Sequence, residues 1–158
     1  MIRISRAFAL TSFAALLAAS GCSGVDVGGG GDSATVEETT FASSLGVDLP
    51  NSTRTENGAY YRDMVVGTGP FVSAGQILNI KYSGWLSDGT VLDTDATLAF
   101  HLGTHEVTSG WDEAIPGMRV GGKRQLLIPP ALAYGDIGSG PIPGNAVLVY
   151  VIEVVSAQ

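Results

Sequence analysis

From Glu56 to the C-terminus only one stretch can form a helix, and it is short: "TSGWDEAIPG", Thr108 to Gly117. Thr108 and Ser109 are capping residues, and Asp112 and Glu113 bring negative charge to the helix N-terminus. Pro116 and Gly117 then stop it after barely two turns. A helix of that length is marginal alone and depends on what it packs against, so Trp111, one of only two tryptophans, reads as its anchor. The remaining order must come from strands. "AYYRDMVVG" is strand-like and ends in the turn residues of "GTGP". "QILNIKYSGWL" alternates Leu78, Ile80 and Tyr82 against Asn79, Lys81 and Ser83, the period of a half-buried antiparallel strand. "SDG" at 87–89 turns a hairpin into "TVLDT". "TLAFHLG", "KRQLLIPP" and "AVLVYVIEVV" supply three further strands. With no βαβ alternation, the expected fold is α+β: a twisted antiparallel sheet of five to six strands around one short helix, spanning residues 56–158.

The N-terminal part has another texture. Arg3 and Arg6 precede an apolar run from Ala7 to Ala19. That run is short of the roughly 20 residues of a membrane span but fits the core of a secretory signal, so residues 1–21 read as a signal peptide. "ASGC" follows, with the single cysteine of the chain at Cys22. A lone cysteine forms no internal disulfide, and the stretch resembles a bacterial lipobox, in which that cysteine is lipidated. The chain is then expected to be exported and lipid-anchored to a bacterial membrane, facing the periplasm or cell exterior. "SGVDVGGGGDSATVEETT" is rich in Gly, Ser, Thr and acid, so residues 22–55 read as a flexible tether. Within it, "FASSLGVDLP" (41–50) fits either a docking segment or plain linker.

The formal net charge is −7, which makes nucleic acid and anionic lipid poor partners and leaves the lipid anchor as the only expected membrane contact. His101 and His105 are four apart, a metal spacing on a helix. They fall in the strand and turn of "FHLGTHE", where that spacing does not bring side chains together, so no metal is expected. Asp93 and Asp95 could be a glycosidase-like pair, but no aromatic sugar groove accompanies them. "GGGG" lacks the flanking strand and helix of a phosphate loop. What remains is apolar and aromatic, including Phe100, and on composition alone these residues could simply be the core.

Three segments, "KYSGWLSDGTVLDT", "FHLGTHEVTSGWDEAIPGMRVGGKRQLLIPPALAYG" and "IPGNAVLVYVIEV", closely resemble the FKBP-type peptidyl-prolyl cis-trans isomerases, in order and almost without gaps. The resemblance implies the sheet-around-helix fold and gives Trp111 a purpose: its indole floors a shallow pocket on which a substrate proline ring rests. It also implies Tyr82, Asp93, Trp111 and Tyr134 as catalytic residues, with Leu92, Leu98, Phe100, Val107, Thr108, Ile142 and Tyr150 binding substrate. The Thr108 N–H and the Tyr134 hydroxyl would hold substrate carbonyls, and Asp93 would accept a hydrogen bond from Tyr82. No cofactor is implied, because twisting an amide breaks no bond.

Leu92, Leu98, Thr108 and Pro141 depart from the residues usual in the family. They imply a wider pocket with reduced affinity for macrolides of the tacrolimus or rapamycin type. The implied function is isomerisation of X-Pro bonds in exported polypeptides by a monomer. A non-catalytic proline-binding or chaperone module on the same fold is the alternative.

Overall fold

The computed structural model describes residues 33–158. The apolar run 7–19 and Cys22 lie outside the described residues. Among the described residues no helix is long and apolar enough to cross a membrane.

The strands are β1 (Thr53–Arg54), β2 (Tyr60–Val65), β3 (Ile77–Leu86), β4 (Val91–His101), β5 (Lys123–Ile128) and β6 (Leu148–Ala157), with one helix, α1 (Ser109–Ala114). They form a single antiparallel sheet in the order β1-β2-β5-β6-β3-β4, as the alternation and the absence of βαβ units require. One detail differs. "TVLDT" and "TLAFHLG" are a single long strand, β4, whose pairing with β3 slips between Tyr82 and Gly84. The slip leaves Thr94 and Asp95 opposite Ser83. Asp95 takes a positive φ of 48°, and its N–H donates to the Ser83 hydroxyl at 3.0 Å. The pairing shifts again between Gly84 and Trp85, leaving Leu92 without a partner residue; bulges of this kind bend a strand without ending its pairing.

Period-two alternation sorts the central strands into two faces. Leu78 and Ile80 of β3, Leu126 and Ile128 of β5, and Leu148, Tyr150, Ile152 and Val154 of β6 pack with Trp111, Ala114 and Ile115 into the main core. The helix approaches so closely that a Cβ on Gly110 would collide with the Ile128 side chain, which is why glycine precedes the anchor. At Gly84 a Cβ would meet the Tyr150 ring, so glycine there lets that ring lie on the strand backbone.

Arg124, on the inner face of β5 and only 3% exposed, joins helix to sheet. Its Nη1 donates to the Ala114 carbonyl at 2.6 Å and to Pro116 O at 3.3 Å. Nε and Nη2 grip the Asp63 carboxylate of β2 at 2.6 and 3.0 Å, and the guanidinium lies over Tyr61 at 4.2 Å. The end of a helix leaves carbonyls unpaired; here a planar, multi-donor cation from the sheet satisfies them.

The opposite face is where the expected tether boundary is corrected. Residues 34–51 run over it, and Val36 is fully buried with Leu127, Val147 and Val149, flanked by Ala34, Phe41, Leu45, Val47, Leu49 and Tyr60. Buried Gln125 donates to Leu45 O at 2.8 Å and accepts from Arg62 Nη2 at 3.2 Å. Arg62 also donates to Gly46 O and Asp48. Glu37 accepts from the Tyr60 hydroxyl at 2.7 Å and pairs with Arg54. The docked segment, including 41–50, is thus part of the fold. Its apolar residues are sparse and follow no helical or strand period, so composition reads it as linker.

Two measurements check this architecture. Burying a Val or Leu side chain contributes ~1.5–3 kcal/mol, so a chain beginning at Glu56 should unfold at clearly lower urea concentration than one beginning at Ser33. Equal midpoints would mean that the docked segment contributes no stability. Arg124→Met removes the donors to Ala114 and Pro116, and each buried carbonyl left unpaired costs ~1–3 kcal/mol. The same urea titration should show that loss, with altered emission from Trp111.

Candidate functional site

Trp111 is held at the start of α1 by three other rings. Tyr82 and Tyr150 meet it edge to face, with centroids 5.2 and 5.1 Å away at 75° and 84°. Phe100 lies behind it at 6.1 Å. Such arrangements suit the aromatic quadrupole and fix the indole plane. One face of this cluster belongs to the core; the other opens into a cavity of about 190 Å³ lined by Tyr82, Asp93, Leu98, Glu106, Val107, Thr108, Trp111, Tyr134 and Tyr150.

Each element contributes a side chain for a local reason. Tyr82 and Asp93 sit on β3 and β4 either side of the bulge. Tyr134 follows the single turn Pro130–Leu132 and is 39% exposed. Its loop closes through Gly135 N–H to Pro130 O and Asn145 N–H to Gly135 O. The rim segment Glu106–Thr108 is clamped from two sides. Asp112, in the first turn of α1, accepts from the Gly103 and His105 N–H groups at 2.8 and 3.2 Å. Glu106 accepts from the His101 N–H at 3.1 Å and lies 3.0 Å from His101 Nδ1. The two histidines therefore face different carboxylates.

Of the residues expected from sequence, the structure brings Tyr82, Asp93, Leu98, Val107, Thr108, Trp111, Tyr134 and Tyr150 together around the cavity. It does not line the cavity with Leu92, Phe100 or Ile142, which pack against the main core. Phe100, 3% exposed, acts from behind by supporting the indole. Two expected bonds are corrected. Tyr82 makes no hydrogen bond to Asp93 among the described residues; instead burial, and then the Asp93 charge, push its hydroxyl above the ordinary tyrosine range. Thr108 caps α1 with no side-chain hydrogen bond, its backbone extended at φ −61°, ψ 145°. Its carbonyl accepts from the Trp111 N–H at 2.9 Å.

The Thr108 hydroxyl and the Trp111 indole Nε1 are buried without a partner among the described residues. Burial also drives the Tyr150 hydroxyl far upward. Weakened in acidity by burial, the Tyr82 and Tyr150 phenols stay protonated, as donors, throughout neutral pH. The cavity thus combines a rigid aromatic floor with protonated phenols and Asp93, a carboxylate with no hydrogen bond or ion pair among the described residues. It can seat a small ring and offer hydrogen bonds to carbonyls. The sequence reading missed Glu106. The available signal was its place in the turn leading into the Trp111 helix, directly before Val107 and Thr108.

A family model described as FKBP-type peptidyl-prolyl cis-trans isomerase matches residues 69–155. An FK506-binding protein 4 of Dictyostelium discoideum is 41% identical over 128 residues, covering 79% of this chain and 33% of that protein. The chain spans between 24% and 34% of the length of this and two other curated relatives. The crystal structure of AtFKBP13 superimposes with a TM-score of 0.63 at 38% identity, covering 68% of this chain and 98% of that one. A peptidyl-prolyl cis-trans isomerase of Pseudomonas syringae pv. tomato gives 0.63 at 30% identity, over 73% and 86%. With more than half of its length matched by the family model and its aromatic cavity seated on the shared fold, the chain belongs to the FKBP-type peptidyl-prolyl cis-trans isomerase family.

Proposed function

We propose that this chain is a prolyl isomerase that accelerates X-Pro rotation in exported polypeptides. The observation that carries the reading is the Trp111-floored cavity with Asp93, Tyr82 and Tyr134 on its walls. Rotating an amide costs ~18–20 kcal/mol because resonance is lost, and an unaided X-Pro bond takes tens of seconds or longer. No bond is broken, so no nucleophile is needed. The proline ring rests on the indole, while the Thr108 N–H and the Tyr134 hydroxyl hold flanking carbonyls. The cavity then favours the twisted amide, whose charge separation is smaller than that of the planar one, which is differential binding of the transition state.

The same reading places the chain outside the cytoplasm as a monomer, lipidated at Cys22 after removal of residues 1–21. Supporting it are the basic start, the apolar run and the lone cysteine. Relatives are named for FK506 binding; this cavity should take such macrolides with reduced affinity, because Leu98 offers less contact than an aromatic ring.

Tyr134→Phe removes one hydrogen bond of ~0.5–1.5 kcal/mol, so kcat/KM in an NMR exchange assay should fall roughly two- to twelve-fold. Asp93→Val should fall at least as far. In both variants melting temperature should change little. Trp111→Ala should instead lose ~3–5 kcal/mol of stability, since the floor is core. Because burial raises the Tyr82 pKa, the wild-type rate should not decline through Tyr82 ionisation below about pH 10. Wild-type protein that binds proline peptides with only background exchange would establish the non-catalytic module. Separately, Cys22→Ser should move the protein from the membrane to the soluble fraction of the producing cell. A native protein already soluble with a free thiol would remove the anchor.

A further inference from the structure

Resting on the isomerase reading, the charges around the cavity also say which proline segments fit it. Only two lining residues are charged, Asp93 and Glu106, and both are acidic; no lysine or arginine lines it. Asp93 has no ion pair or hydrogen bond among the described residues. Glu106 is held in place by the His101 N–H, which also keeps its carboxyl below the usual range, so it is ionised at neutral pH. The arginines among the described residues are engaged elsewhere: Arg54 with Glu37, Arg62 with Asp48, Arg124 with Asp63, and Arg119 with Gly69 O. Lys123 pairs with Glu153. Lys81 borders a different cavity, and the basic group beside either carboxylate among the described residues is the His101 ring, with Nδ1 3.0 Å from Glu106; Asp93 has none, and the chain as a whole carries −7.

The acidity alone would be surface solvation, but here it borders a formed cavity. Two of its lining residues carry polar atoms with no partner among the described residues, the buried Trp111 indole N–H, on a side chain 5% exposed, and the Thr108 hydroxyl. A chain whose proline sits on the indole puts its neighbouring Cα atoms about 3.8 Å away, so their side chains emerge at the rim beside Glu106 and Asp93. We propose that the site selects proline segments bearing a cationic side chain next to the proline and rejects those bearing an acidic one. Glu106 and Asp93 act as the specificity-determining charges.

The test is NMR exchange on short peptides with Lys, Leu or Glu before the proline, and a second series with them after it. Affinities come in parallel from the shift of the Trp111 indole N–H, a readout that does not need turnover. At low salt, the Lys peptide should exceed the Glu peptide by about tenfold in kcat/KM or affinity in at least one series. The ratio should shrink several-fold at about 1 M salt, where the screening length falls to about 3 Å. Glu106→Gln keeps an acceptor for the His101 N–H and should lower the Lys-to-Glu ratio about two- to threefold. Glu38→Gln, on the segment covering the opposite face, should leave the ratio unchanged. Exchange of the Leu peptide with Lys and Glu equal in both series, or a salt-independent ratio, overturns the charge selection while leaving the isomerase intact. A Lys preference in affinity without accelerated exchange of any peptide keeps the charge selection and sinks the isomerase reading instead.

Discussion

The guanidinium of Arg124 is where sheet, helix and cavity depend on one another. A helix of six residues cannot hold itself together in water, and its last carbonyls face the core rather than solvent. Arg124 rises from near the start of β5 to meet them, while Asp63 of the neighbouring strand neutralises its charge. A buried cation without such partners would cost several kcal/mol. Lysine could not replace it, since one ammonium cannot face two carbonyls and a bidentate carboxylate together. Everything on α1, Trp111 above all, inherits its position from this contact.

The binding surface is the exposed side of the core itself. Trp111 and Tyr150 are each 5% exposed, yet both line the cavity, and Phe100 stiffens the indole from the buried side. Function and stability therefore share side chains, and only the polar groups at the rim can change without disturbing the packing. The indole N–H and the Thr108 hydroxyl, buried without a partner among the described residues, are a standing cost of about 1–3 kcal/mol each. Asp112 performs a similar linking task at the other end of the helix. By accepting from Gly103 and His105 it ties the rim to the turn that carries the floor.

The segment ahead of β1 completes the second face of the sheet. Leu127, Val147 and Val149 alternate away from the helix and would otherwise face water. The covering chain has almost no regular structure beyond two single turns. It is fixed by Val36 and by side chains that reach out from the sheet, Gln125 and Arg62, to its carbonyls. A polar residue such as Gln125 can be buried at 2% exposure only because that backbone runs past it.

Period-two alternation and one short capped helix determined the sheet, its antiparallel sense and its single helix, because each strand's burial pattern is local to the strand. The resemblance carried by three segments implied eight of the nine residues that line the cavity. Tertiary structure decided what depends on contacts between distant segments. The bulge at Asp95 joined two expected strands into one. Leu92, Phe100 and Ile142 were turned into the core, and Glu106 was brought to the rim. Arg124 was paired with Asp63 and the helix end, and residues 34–51 were laid on the sheet. Each of these depends on which surfaces meet, and a scattered Val36 or Leu45 has meaning only once there is an uncovered face of Leu127 and Val149 for it to fill.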